Sequence, residues 1–180
     1  MKGITCIALV ALALATGSAS SNTQSPPGVP PEFTHHRASE WLNSEPLTLA
    51  ALKGKVVLLE VWAFKCVNCL NSRAWVDAVE HDKASAGLVV IGVHTPELPE
   101  EKAPDAVKHA VDRLGIHYAV MIDTDKSYWN ALHNQYWPAF YLIGRDGHLY
   151  GPVLGEMHVG EARSQQLEQV IDQLLKAPAP

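Results

Sequence analysis

The sequence predicts an α/β sandwich, a central mixed β-sheet flanked by helices, and three observations carry that expectation. Strand-like apolar runs alternate with stretches of helical spacing, the pattern of βα units. The first such run, Val56 to Trp62, is almost unbroken and rich in β-branched residues, as a strand covered on both faces must be. Late in the chain, Gly144-Arg-Asp-Gly147 supplies a tight hairpin turn, so the last two strands run antiparallel and the sheet is mixed.

Each segment follows in order. Residues 1–19 read as an export leader, with Lys2, an apolar run from Ile4 to Ala15, and the small-x-small cleavage pattern Gly17-Ser18-Ala19. The apolar run falls short of the roughly 20 residues that a membrane span needs. The expected location is therefore periplasmic or secreted, or membrane-tethered if the leader is retained. Residues 20–37, with Pro26, Pro27, Pro30 and Pro31 among serines, read as a flexible tether, leaving 38–180 as one domain. After the first strand, Val67, Leu70, Ala74, Trp75, Ala78 and Val79 share one face of a helix. Leu88 to Val93 is a second buried strand, and Val107, Ala110, Val111 and Leu114 mark a second amphipathic helix. Tyr118 to Ile122 and Lys126 to Leu132 read as a short strand and a short helix. Ala139 to Ile143 is the third long strand, His148 to Val153 returns from the hairpin, and Leu167, Val170, Ile171, Leu174 and Leu175 line the closing helix. The order is β-α-β-α-β-α-β-β-α.

The net charge of −5 argues against a nucleic-acid surface. Of the three cysteines, Cys6 lies in the leader and Cys66 and Cys69 stand three positions apart. A bridge between them closes too small a loop to restrain the unfolded chain much, so a staple is a poor explanation and chemistry a better one. The pair falls where a strand ends and a helix begins, where free backbone N–H groups and the helix dipole favour a thiolate. Cys66, first and less covered, is the expected nucleophile, and Cys69 the resolving thiol. Bringing a thiol pKa from about 8.5 to about 7 takes about 2 kcal/mol, while a helix end supplies roughly 0.3–1 kcal/mol. Backbone amides, Cys69 and the neighbouring Lys65 are therefore expected to contribute. Rival readings of the pair fail on composition. A zinc ribbon needs a second ligand pair, and a haem attachment site needs His where Leu70 stands. A chaperone or copper-carrier module remains the alternative, although copper carriers of this kind use a wider cysteine gap and an added His. A thiol peroxidase would need Thr or Ser where Ala63 stands.

Glu60 interrupts an apolar strand. Burial there raises proton affinity, and the acid could take a proton from Cys69; an outward-facing, solvated carboxylate is the other reading. Glu97, after Thr95-Pro96 at the C-terminal edge of the second strand, lies where open sheets gather ligand contacts, or is a solvated loop charge. His94 beside it reads as a satisfied structural histidine. His35 and His36 fall in the tether. Trp129 reads as core, and Tyr136 and Trp137 as the wall of an apolar groove.

Val61-Trp-Ala-Phe-Lys-Cys-Val-Asn-Cys69 resembles the active-site signature of the thioredoxin superfamily, with Trp62 and Ala63 in their usual places. Tyr136-Trp-Pro-Ala-Phe140 resembles its second motif. Val90-Ile-Gly-Val-His-Thr-Pro-Glu97 and Tyr128-Trp-Asn-Ala131 are similar to the exported TlpA-like branch, and most of all to thioredoxin-like domains attached to DipZ-type cytochrome-biogenesis membrane proteins. The resemblance implies a thioredoxin fold with an insertion after the second long strand, around 97–103. It implies reducing equivalents fed by a membrane-embedded electron donor. The expected protein is a thiol–disulfide oxidoreductase, more reductant than oxidant, a monomer without cofactor or metal that acts on exported protein disulfides. The resemblance also implies that Pro138 follows a cis bond, faces the cysteines, and presents the backbone of Trp137 to a peptide. Cys66, Cys69, Glu60 and Pro138 are the expected catalytic residues, and Trp62, Lys65, Trp137 and Glu97 the expected substrate contacts. Three departures stand out. Val67-Asn68 replaces the Gly-Pro of thioredoxin between the cysteines. Glu60 stands for thioredoxin's buried aspartate. Val89 or Val90 stands where some TlpA-like reductases carry an acid.

Overall fold

The computed structural model describes residues 28–178; the expected leader and residues 20–27 of the expected tether lie outside that range. Six strands form one sheet in the order β1-β4-β3-β2-β5-β6: β1 (Trp41–Leu42), β2 (Val56–Trp62), β3 (Leu88–His94), β4 (Ala119–Ile122), β5 (Ala139–Ile143) and β6 (Leu149–Leu154). β2 pairs parallel with β3 and antiparallel with β5, and β5 turns back into β6, so the sheet is mixed as expected. Among the described residues four α-helices accompany it: α1 (Val67–Lys83), α2 (Pro104–Leu114), α3 (Ser127–Ala131) and α4 (Ala162–Lys176). The insertion after β3 forms a short 3-10 turn, Pro99–Lys102, ahead of α2. Gly147, with φ of 79°, closes the β5–β6 hairpin by donating to the carbonyl of Gly144 at 2.9 Å.

Every residue of β2 is buried, because its alternating side chains feed two cores. Val56, Leu58 and Trp62 join α1, α2 and α4 on one face, through Trp75, Val76, Val107, Val111, Leu167 and Ile171. Val57, Leu59 and Val61 point to the other face. There α3, only five residues long, cannot cover the sheet alone. The chain ahead of β2 completes the cover: Phe33, Trp41 and Leu52 pack with Tyr128, Trp129 and Leu132. This corrects the tether reading for residues 28–37. Gly28 bridges Leu149, Phe33 is buried edge-on to Trp41, and the His35 Nε2 lies 3.4 Å from a carboxylate oxygen of Asp125. The Pro-rich composition reports stiffness there, and the open second face supplies the binding surface. β1, an antiparallel edge strand on β4, is also absent from the sequence reading, since two residues carry no periodicity.

The buried stripe of α1 differs from expectation as well. Cys69, Ser72, Arg73, Trp75, Val76 and Val79 face inward, while Val67 is 66% exposed. The polar members are the reason: Ser72 is turned in by donating to the Asn68 carbonyl and accepting from Met157 N, and Arg73 by the buried partners described below.

Candidate active site

β2 runs straight into the cysteines. Trp62 ends the strand, Cys66 is the N-cap of α1, and Cys69 lies one turn in. The two sulfurs are bonded, with Cα atoms 5.2 Å apart. The Cys69 backbone N–H points at the Cys66 Sγ, at 3.2 Å. This is one of the unsatisfied first-turn donors, aimed where a thiolate would gain most from it. Cys66 is 7% exposed and Cys69 1%, so the first cysteine is the more accessible.

The Trp137–Pro138 bond is cis. Trp137 donates its indole N–H to the Thr95 carbonyl at 2.9 Å, and Thr95 N donates to the Trp62 carbonyl at 2.9 Å. Two hydrogen bonds thus join the proline loop to the strand that delivers the cysteines. Trp137 stacks on Trp129 with ring centroids 4.1 Å apart, and the Lys126 ammonium lies 4.8 Å from the Trp137 ring. Tyr136, 57% exposed, is among the few large apolar side chains left open, as is Val67 between the cysteines.

Trp62 is 1% exposed, which corrects its place among substrate contacts: it supports the cysteines from the core. Gly92 makes room for it, since a Cβ there would lie 2.9 Å from the indole nitrogen and 3.2 Å from the Tyr118 ring. Lys65 is tied by its ammonium to Glu100 at 2.6 Å, so its charge is balanced and half in solvent. Glu97 is exposed. The buried acid of that loop is Glu101, which the sequence reading missed. One Glu101 oxygen accepts from Lys65 N at 2.7 Å, and the other from Glu97 N and Leu98 N at 2.9 and 2.8 Å. A single carboxylate thereby fastens the insertion to the approach to Cys66. The signal was legible: Glu101 is the third residue of a Pro-started turn, the position from which an acid reaches back to free N–H groups.

Glu60 is fully buried in β2, paired with Gly92 and Phe140 on its neighbours, so the outward-facing reading is excluded. Tyr118 donates to its Oε2 at 2.8 Å, and Arg73 donates to the Tyr118 oxygen. Its Oε1 has no hydrogen-bond partner among the described residues. Burial dominates and pushes the Glu60 carboxyl up to about 7, against the opposing pull of Arg73 and the Tyr118 hydrogen bond. His94 is buried too, stacked on Phe64 and edge-on to Trp62. Neither of its ring nitrogens finds a partner among the described residues, nor does the Trp62 indole N–H, so the expectation of a satisfied histidine does not hold. Burial drives the His94 ring down to about 4, which keeps it neutral.

Two outcomes follow. Replacing Glu101 by Ala removes the acceptor of three partly buried backbone N–H groups, so Glu101→Ala should cost about 2 kcal/mol in urea unfolding. Glu60 binds its proton more tightly in the folded chain than in the unfolded one, where its value is 4.5. The folded state therefore loses stability as pH rises from about 4.5 to about 7, and the loss levels off above that. His94 acts with the opposite sign, adding stability as pH rises from about 4 to 6.5. The measurement is accordingly a comparison: between pH 4.5 and 7.5 the wild type should lose about 3 kcal/mol relative to Glu60→Gln, and parallel stability curves would refute the assignment.

Comparison with known proteins places this geometry. The Redoxin family matches residues 29–171. Protein DipZ of Mycobacterium bovis is 37% identical over 143 residues, which are 78% of this chain and 20% of DipZ, so the chain spans about a fifth of the length of the DipZ proteins it matches. Thiol-disulfide oxidoreductase YkuV of Bacillus subtilis is 26% identical over 145 residues, covering 81% of this chain and 93% of YkuV. Among solved structures, a thiol:disulfide interchange protein of Chlorobium tepidum superposes with a TM-score of 0.65 at 21% identity, covering 85% of this chain and 99% of that one, which shows a shared fold. A cysteine pair at a strand-to-helix junction, a cis proline ahead of the third long strand and a family match across most of the domain converge: the chain belongs to the Redoxin family, within the thioredoxin superfamily.

Proposed function

We propose that the protein is an exported thiol–disulfide oxidoreductase that acts as a monomer and reduces disulfides in envelope proteins. The observation that carries the reading is the Cys66 Sγ at the N-cap of α1, with the Cys69 N–H directed at it. In the reduced protein that N–H and the helix end favour the Cys66 thiolate. The thiolate attacks one sulfur of a substrate disulfide, the other substrate sulfur leaves as a thiolate, and a mixed disulfide remains. The Cys69 thiol then gives up its proton and attacks the Cys66 Sγ. The second substrate sulfur departs reduced, and the Cys66–Cys69 bond forms. Two electrons have passed to the substrate, and a membrane-embedded donor returns them. Glu60, held near neutrality by burial, takes the proton of Cys69. Pro138 and the Trp137 backbone present an edge to the substrate peptide, with Tyr136 and Val67 as its apolar flanks and Lys65 and Glu97 at the rim.

The export step rests on the leader-like residues 1–19. The reductive direction, the membrane donor and a place in cytochrome c biogenesis rest on the resemblance of the sequence motifs to DipZ-type cytochrome-biogenesis proteins; the described residues contain no helix long and apolar enough to cross a membrane.

In an insulin-reduction assay, Cys66→Ser should abolish activity, whereas Cys69→Ser should accumulate mixed disulfides; free turnover by Cys69→Ser would contradict the resolving role. A midpoint potential nearer to the about −270 mV of thioredoxin than to the about −120 mV of a strong oxidant would support the reductive direction, and the reverse would overturn it. Glu60→Gln should slow the attack of Cys69 on a preformed mixed disulfide on the order of 100-fold at neutral pH, and an unchanged rate would remove Glu60 from the mechanism.

A further inference from the structure

We propose that Arg73 and Tyr118 form a one-way donor chain that tunes the proton affinity of Glu60 against its burial and dictates which of its oxygens carries the exchangeable proton, with Asp77 as the surface end of that chain. Its place in the reaction rests on the proton-acceptor reading of Glu60 above; its effect on the Glu60 titration does not.

The direction of the chain follows from what each group can do. A guanidinium only donates, so the Tyr118 oxygen accepts from Arg73 Nη1. The single phenolic proton of Tyr118 then points at Glu60 Oε2, 2.8 Å away. That oxygen is committed as an acceptor in either protonation state. The proton of the neutral acid is left to Oε1, the oxygen without a hydrogen-bond partner among the described residues. Tyr118 does not pass its own proton on, because burial, and next the charge of Glu60, hold its hydroxyl protonated well above the ordinary range. The chain therefore transmits polarity and does not conduct protons.

The surroundings isolate this control. β3 and β5 face Glu60 with Gly92 and Phe140, neither of which titrates. Tyr118 comes from the loop ahead of β4. α1 supplies Arg73 and Asp77, and it carries Cys69 one turn before Arg73, on the same side of the helix. The Arg73 guanidinium is buried, stands 5.3 Å from the Tyr118 ring centroid, and donates its other end to Asp77, whose side chain is 53% exposed. Charges thus alternate from core to surface: acid, guanidinium, acid. Arg73 and the Tyr118 hydroxyl favour the Glu60 carboxylate, and Asp77 disfavours it.

The test is the titration of Glu60 itself, followed by NMR of carboxyl carbons in the oxidised, glutamate-labelled protein and assigned by its loss in Glu60→Gln. Tyr118→Phe keeps the ring and removes the donor, so it should move the midpoint up by about one pH unit. Asp77→Asn, at the exposed end, should move it down. The pH profile of Cys69 attack should shift with the midpoint in Tyr118→Phe, and the same substitution should leave the profile unmoved in a Glu60→Gln background. An unchanged Glu60 midpoint in folded Tyr118→Phe overturns the donor chain. Should that variant not fold, an unchanged or raised midpoint in Asp77→Asn overturns it equally. A shifted midpoint alongside an unaltered rate in Glu60→Gln would leave the chain standing and refute only the role of Glu60 in the reaction.

Discussion

A strand covered on both faces can hold an ionisable group only at a cost, and this molecule holds one in the middle of its central strand. β2 joins the two cores, receives β3 on one side and β5 on the other, and ends where the cysteines begin. Glu60 sits in the same strand that fixes Cys66, so the acid cannot shift without the strand shifting. Gly92 across from it gives up a side chain so that Trp62 and Tyr118 can close around the position. The strand, its glycine partner and the inward-turned Arg73 of α1 are three parts of one solution to that burial.

Two of the fully buried carboxylates, Glu60 and Glu101, are held in opposite ways. Both oxygens of Glu101 are saturated by backbone donors, and its work is mechanical: it binds the insertion to the segment before Cys66. Glu60 accepts one hydrogen bond and keeps an oxygen open. A half-satisfied carboxylate in a dry setting takes up a proton readily. The difference in partner count distinguishes the two acids without reference to sequence motifs. His94 adds an uncharged aromatic surface under Phe64 and Trp62, retained neutral by the same dryness.

The sequence made the frame legible where period and composition carry it. The three long strands, α1, α2, α4 and the hairpin lie within a residue or a few of where their patterns put them. The cysteine pair was readable because its spacing has a chemical meaning, and Pro138 because the motif around it resembles that of the thioredoxin superfamily. What stayed hidden depended on tertiary partners. Arg73 reads as an ordinary solvated helix residue until a buried acid and a phenol are known to lie beneath it. Trp62 reads as a contact because it neighbours the cysteines, yet strand alternation turns it into the core. The segment around Phe33 reads as a linker because prolines dominate it, and nothing local announces that a five-residue α3 leaves part of a sheet face for it to cover.

That last feature changes where the folding unit starts. Phe33 and His35 lie under the same surface as Tyr128 and Asp123, so the N-terminal stretch is a structural member of the domain. A chain trimmed back to Ala38 would uncover an aromatic patch on α3 and on the sheet behind it, giving a product prone to self-association even with its cysteines intact. Domain swaps and fusions that borrow this module should be joined ahead of Gly28.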